Sequence, residues 1–182
     1  MFRSIRWRIA IPYILLVGFS VVGLILSLSH LLRREYLAHL EAQLLGEARL
    51  ISDVVRPALA RGERRDYFEP LARRYDQLTG ARVTLIAPDG VVLTDSREDA
   101  AHMDNHLGRP EVQEALNKGQ GVSVRLSQTV GISMIYAAIP AVEDGALVGI
   151  VRVSVPLSAL EMELKAVRWS IALAGQRGGE QA

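Results

Sequence analysis

Cysteine is absent from the 182 residues. That excludes disulfide frameworks, thiolate nucleophiles and thiolate zinc sites, and fits an oxidising compartment. An excess of one charge is missing too, since 21 Lys and Arg stand against 20 Asp and Glu for a net +1. With no global field of one sign, nucleic acid is not an expected partner. No nucleophile and base pairing, phosphate-cradling loop or metalloprotease spacing occurs. No catalytic residue is therefore assigned, and neither enzyme activity nor a cofactor is expected of this chain. A second membrane-length apolar run is lacking as well: Trp169 to Ala174 is too short, and 175–182 is polar and glycine-rich.

What is present begins with an apolar block. The 24 residues from Ile9 to Leu32 contain no Asp, Glu, Lys or Arg, and as a helix they reach roughly 36 Å at about 1.5 Å per residue. A hydrocarbon core of about 30 Å is spanned with some tilt. Pro12 falls in the first turn, where its missing N–H breaks no helical bond. Arg3, Arg6 and Arg8 precede the span, with Trp7 and Tyr13 at headgroup level, which places 1–8 in the cytoplasm. Arg33 and Arg34 directly after the span reduce that asymmetry. A cleaved signal peptide is the rival, but its apolar region is shorter and ends at a small-x-small site, unlike Ser29-His30-Leu31-Leu32. An uncleaved anchor over 9–32 is the reading adopted, with the cell membrane as location.

Beyond the span, Leu37, Leu40, Leu44, Ile51, Val54 and Ala58 keep a three-four spacing in a stalk helix over 33–62, with Glu47 the misfit. Such a stripe suits pairing of two protomers, which makes Leu37, Leu40 and Leu44 candidates for a homodimer seam; equally, it suits covering the domain's own sheet. Tyr67, Phe68, Leu71, Ala72, Tyr75 and Leu78 mark a second helix closing at Gly80. The arginines among them, from Arg56 to Arg74, are interspersed with acids and read as a solvated face in preference to a lipid-headgroup surface.

From Ala81 the pattern alternates. Strands are expected over 82–87, 91–96, 122–127, 133–140 and 147–155, with Pro88-Asp89-Gly90 and Glu143-Asp144-Gly145 as turns and a short helix at 111–117 opened by Pro110. The order predicts an α+β domain over 63–156, a mainly antiparallel five-stranded sheet with helices on one face. An exit helix over 157–174 and a polar tail over 175–182 follow.

Four segments then carry a resemblance: Val83-Thr84-Leu85-Ile86-Ala87-Pro88-Asp89-Gly90, Val92-Leu93-Thr94-Asp95-Ser96, Asn105-His106-Leu107-Gly108-Arg109-Pro110-Glu111-Val112 and Gly149-Ile150-Val151-Arg152-Val153-Ser154. Their order and spacing resemble the N-terminal sensor part of PhoR-type sensor histidine kinases, over Arg3 to Arg168. The resemblance implies a PAS-like fold called a single Cache domain, set between two spans in a dimeric receptor whose intracellular part is an ATP-dependent histidine kinase. This chain departs from that pattern in having no second span, no phosphoacceptor histidine motif and no ATP-binding motif. It fits a fragment of a longer receptor, a shortened gene or an excised piece.

Candidate ligand contacts come from polar residues in apolar strands. Asp95 and Ser96 end the second strand, where capping of the next loop competes with ligand contact. Arg125, Ser127 and Tyr136 are set among apolar neighbours, and a guanidinium with hydroxyls suits a carboxylate or phosphate. Arg125 on a solvated face and Tyr136 in the core are the alternatives. His102 and His106 stand four apart beside Asp99 and Asp104, but Gly108 and the polar loop argue against the helix that a metal site needs, and no metal is assigned. The expected function is an extracytoplasmic sensing module of a two-component receptor, answering a small-molecule or envelope signal by shifting its stalk helices. The alternatives are a stand-alone membrane-anchored interaction protein and the sensor part of a chemoreceptor or nucleotide cyclase.

Overall fold

The computed structural model describes residues 5–127 and 132–157 and divides into two compact units, Met1–Leu40 and Glu41–Ala182. The expected exit helix and tail lie outside the described residues, apart from Leu157. A single helix, α1, covers Ile5–Ala60.

In the first unit the helix carries Leu15, Leu16, Phe19 and Leu24 exposed. It is long and apolar enough to cross a membrane. Ser20 donates its hydroxyl to the Leu16 carbonyl at 2.9 Å, so the polar side chain is satisfied within the helix itself.

In the second unit the same helix is amphipathic. Leu44, Leu45, Ala48, Ile51, Ser52, Val55, Ala58 and Leu59 are buried at three-four spacing, whereas Leu50 and Val54 are exposed. Two sequence expectations are corrected here. Leu44 is 1% exposed in the single chain, so it has no surface to offer a second copy and belongs to this domain's core. The covered stripe also runs through Val55 in place of Val54, because the seam drifts around a straight helix as it lengthens. Leu37 and Leu40 are half-buried in the first unit.

Helix α2, Arg65–Thr79, turns Phe68 and Ala72 inward and ends at Gly80, whose φ of 73° is the left-handed cap that a side chain resists. The strands are β1 Arg82–Ile86, β2 Val92–Asp95, β3 Gly121–Leu126, β4 Ser133–Glu143 and β5 Ala146–Pro156, with helix α3, Pro110–Lys118, before β3. All pair antiparallel, in the order β2-β1-β5-β4-β3. The architecture is thus the expected α+β one, a long N-terminal apolar helix followed by a five-stranded sheet, but the expectation of helices on one face is corrected: α1 packs on one face and α3 on the other.

Strand β4 continues three residues beyond Pro140, where the sequence suggested a stop. Strand β3 pairs with β4 only as far as Gly121 opposite Ala138, so the missing N–H of Pro140 falls beyond that ladder and removes no bond from it. The β4–β5 connection is a two-residue turn in which Asp144 and Gly145 have φ of 50° and 79°, the backbone that matches strand twist in a tight hairpin.

Because side chains alternate across a strand, the register sorts the sheet into two faces. One is apolar: Val83, Leu85, Val151, Val153, Ile135, Ala137 and Ile139 are paired across strands and buried. Leu59 of α1 lies against Gly149 on this side, where an added methyl group would press on its side chain at 3.0 Å. Arg56 of α1 meets Glu143 at 2.7 Å near the β4–β5 turn. The opposite face holds Ile86, Ala138 and Ile150 under Val112 and Ala115 of α3 at one end, and polar side chains elsewhere.

If Leu44 belongs to the domain core, Leu44→Ala lowers the stability of the folded domain by about 2–5 kcal/mol, read from the urea midpoint by near-ultraviolet circular dichroism. Leu50→Ala, on the exposed side of the same helix, leaves that midpoint within about 0.5 kcal/mol.

Candidate ligand-binding site

On the second face, register brings together residues far apart in the chain. Thr84 stands between Asp95 on β2 and Arg152 on β5; Ser154 stands opposite both Arg82 and Tyr136, and Tyr136 opposite Ser123 on β3. Arg125 lies two residues further along β3, opposite Met134. The result is a polar band across five strands. Over it lies a cavity of about 260 Å³, walled by Arg82, Arg125, Ser127, Tyr136 and Arg152 from the sheet. The 97–109 loop supplies His106, Arg109 and, at the outer edge, Glu98, Asp99, His102 and Asp104.

The inner wall is an ordered set of ion pairs. Glu111, at the start of α3, is 0% exposed and accepts from Arg125 Nη2 at 3.0 Å, Ser123 Oγ at 2.6 Å and Arg152 Nη1 at 3.5 Å. Burial opposes its charge, but the Arg125 and Ser123 hydrogen bonds outweigh that and hold its carboxyl below the usual range. Asp95 plays the same part for Arg82, accepting from Nε at 2.9 and 3.0 Å, and also from Thr84 Oγ1 at 2.7 Å. Its Oδ1 takes the backbone N–H groups of Arg97 and Glu98 at 2.9 and 3.0 Å, so Asp95 caps the following loop and orients Arg82 from behind the cavity wall.

Three guanidiniums thus share two buried carboxylates, which leaves the inner wall positive. Arg152 is 3% exposed; burial pushes it down to about 10, against the pull of Glu111 and Asp95, and it remains charged at neutral pH. Tyr136 lies beneath two of these cations, its ring centre 4.1 Å from the Arg125 guanidinium and 5.2 Å from that of Arg152. The ring face stabilises both charges and fixes their planes.

Among the described residues, two buried guanidinium donors on this face have no partner. Arg82 Nη2 and Arg152 Nε are buried and make no hydrogen bond, although Arg82 is only 5% exposed. A buried unpaired donor costs on the order of 1–3 kcal/mol, more when charged.

His106 closes the inner end. It is 4% exposed, and its Nδ1 lies 2.8 Å from the Asp104 carbonyl oxygen. A carbonyl only accepts, so Nδ1 carries the proton and Nε2 is the basic nitrogen. Burial, then the Arg152 and Arg109 charges, push its titration down from 6.5 to about 4.

Of the residues proposed from sequence, Arg125, Ser127 and Tyr136 are brought together here. Ser96 is not: its hydroxyl donates to Asp76 Oδ2 at 2.6 Å and accepts from Val83 N–H at 3.1 Å, tying α2 to the sheet edge. His102 and His106 share the cavity wall from different depths, since His102 is exposed on the turn Ala100–His102 and His106 is buried. The chain leaves helical geometry at Met103, so the four-residue spacing does not set the two rings on one helical face. Arg82, Arg152 and Glu111 were overlooked. For Arg152 the signal was available, because strict alternation in Ile150-Val151-Arg152-Val153-Ser154 puts a charge inside a central strand.

No family model matches the sequence, and no curated protein matches it. The fold does have solved counterparts. The chain is similar to the sensor domain of the V. cholerae histidine kinase DctB, with TM-score 0.54 and 19% identity over 83% of this chain and 60% of that one. It is similar to the E. coli DcuS sensor domain, with TM-score 0.58 and 12% identity over 70% and 96%. A third is the ligand-binding domain of the Campylobacter jejuni chemoreceptor Tlp3 in complex with 4-methylisoleucine, with TM-score 0.55 and 18% identity over 70% and 54%. The chain thus spans 54–60% of the Tlp3 and DctB structures, and the likeness is one of fold.

The site generates two predictions. Glu111→Gln leaves buried Arg152 and half-buried Arg125 on a neutral partner and destabilises the domain by about 3–5 kcal/mol, whereas Glu114→Gln, whose partner Lys118 is exposed, changes the urea midpoint by less than about 1 kcal/mol. For His106 the folded value lies below the unfolded one, so protonation favours unfolding. Its contribution to stability is whole above pH 6.5 and falls as pH drops from there towards 4. His106→Gln flattens the urea midpoint against pH across that window, and an undiminished slope refutes the assignment.

Proposed function

We propose that this chain is the sensing part of a membrane-anchored receptor and that its sheet cavity takes a small anionic molecule, a carboxylate or a phosphate. The observation that carries the reading is the set of three guanidiniums, Arg82, Arg125 and Arg152, held on the inner wall of the cavity against only two buried carboxylates, Asp95 and Glu111. Guanidiniums held in fixed planes suit oxygen anions in two-point contact. The hydroxyls of Ser123 and Thr84 are spent on Glu111 and Asp95, which orient the guanidiniums.

Strand β5 offers a route out of the site. Arg152 faces the cavity, while Gly149 on the other side of the strand touches Leu59 of α1. A ligand that draws on Arg152 shifts the strand against that helix, and a shift in helix arrangement is how such a module reports occupancy. The sensor-domain fold supports this reading, and the resemblance of the four segments, in order and spacing, to PhoR-type sensors supports a two-component histidine kinase as the receptor. Three arginines before the span favour an extracytoplasmic domain.

Titration calorimetry of the folded full chain with a panel of small carboxylates, phosphate and sulfate tests the binding. Arg82→Gln and, independently, the more accessible Arg125→Gln are each expected to weaken the best ligand by about tenfold or more, since a hydrogen bond to a charged group is worth about 1.5–3 kcal/mol. A panel without any binder refutes the anion site. The absence of native cysteine makes topology equally direct to test. A cysteine in place of exposed Asp144 reacts with a membrane-impermeant maleimide in intact cells with a permeabilised outer layer, and one in place of Ser4 does not; the reverse pattern overturns the orientation.

A further inference from the structure

The basic wall of the cavity poses a question for the histidine within it. His106 shares the cavity wall with Arg152 of β5 and Arg109 at the start of α3, whose charges oppose its protonation, and Glu111 of α3 is the acid that acts on it. Across the cavity stand Arg82 of β1 and Arg125 of β3, with Tyr136 of β4 between the cations. Glu98, Asp99 and Asp104 occupy the outer edge, and Asp99 is engaged by Arg65 at 2.5 Å. In the unliganded cavity burial, reinforced by the Arg152 and Arg109 charges, keeps the imidazole neutral, and its proton is on the nitrogen that faces the Asp104 carbonyl.

An anion reverses that field. It sits against Arg82 and Arg152, cancels the charge that repels a second ring proton, and offers an acceptor to an Nε2–H. We propose that anion binding in this cavity is coupled to uptake of one proton by His106 Nε2, so that the sensor holds its ligand more tightly as its surroundings acidify. The inference rests on the anion-binding reading above and adds its regulation. The balance is simple: one proton passes from solvent to Nε2 on binding and returns on release, with no bond to carbon and no electron transfer.

The sign follows from linkage. The unliganded ring titrates at about 4, and a bound anion moves it up towards the ordinary 6.5. Ligand then binds the protonated form preferentially, and affinity rises as pH falls through the liganded value. Between pH 7.5 and pH 5 the gain is on the order of tenfold.

The test uses the full chain in detergent, with sulfate and trifluoroacetate as probes because neither titrates between pH 5 and 7.5, and with chloride at matched ionic strength as the blank. Calorimetry at both pH values, in two buffers of different ionisation enthalpy, reads affinity and proton uptake together. Expected are roughly tenfold tighter binding at pH 5, uptake of up to one proton at intermediate pH, and a pH ratio near one in His106→Gln. His102, on the same cavity wall, is the competing source of the proton; His102→Gln should retain the uptake. Binding by wild type without proton uptake, or uptake that disappears in His102→Gln and persists in His106→Gln, overturns the linkage and leaves the anion site standing. No binding of either probe at either pH overturns the anion site and the linkage with it. As an independent readout, the His106 ring resonance, assigned by its loss in His106→Gln, moves its titration midpoint upward when sulfate is added, and an unmoved midpoint in the presence of bound sulfate also overturns the proposal.

Discussion

The buried carboxylate of Glu111 is the constraint on which the polar face of this domain depends. A sheet packed on both sides ordinarily carries apolar residues on both, yet here Arg125 and Arg152 enter from β3 and β5. Burying a guanidinium costs several kcal/mol unless charge and hydrogen bonds offset it. Glu111 supplies both, and it does so from α3, so the helix that closes one end of the face also neutralises its centre. Asp95 repeats the arrangement for Arg82 from the sheet itself. The two carboxylates hold three cations in place without cancelling them, and the surplus charge is what gives the cavity its chemistry.

The same strand joins this face to the other. Residues of β5 alternate between the charged cavity and the apolar layer, with Arg152 on one side and Gly149, Val151 and Val153 on the other. Gly149 leaves room for Leu59 of α1, where a methyl group would press on the leucine. Binding chemistry and helix packing are thus separated by the thickness of one strand. Packed interiors deform little and shift between discrete arrangements, so the proposed coupling of Arg152 to α1 needs no long intervening path.

The outer wall is of a different kind. The 97–109 loop is held by Asp95 at its start, by the Arg65–Asp99 pair, and by Asn105, which donates to the Asp89 carbonyl at 2.8 Å. A side chain at Gly90 would collide with Asn105 and Leu107, so the β1–β2 turn and the loop are fitted to each other. Arg97 clasps Asp76 of α2 through two nitrogens at 2.8 Å, and that hydrogen bonding lowers the Asp76 titration. The loop is therefore an ordered wall, anchored on the sheet, α2 and the turn.

Periodicity alone was enough to read the apolar span, the two helices before the sheet, the five strands and the Pro88-Asp89-Gly90 turn, because each is a local pattern of burial or of allowed backbone angles. It also marked Arg125, Ser127 and Tyr136 as polar groups in apolar strands. What it left open was settled by register and packing. Whether Leu44 faced a second copy or its own domain depended on which side of α1 was covered, and a stripe of leucines looks the same in both cases. That Arg82, Arg152 and Glu111 share one site depended on strand order β2-β1-β5-β4-β3, which puts the last strand between the first and the fourth. Glu111 read as an ordinary acid at a helix start, and His106 as half of a metal pair. Both acquire their present surroundings only when residues some forty positions away fold beside them, because a charge is perturbed by its neighbours in space and a sequence records only its neighbours along the chain.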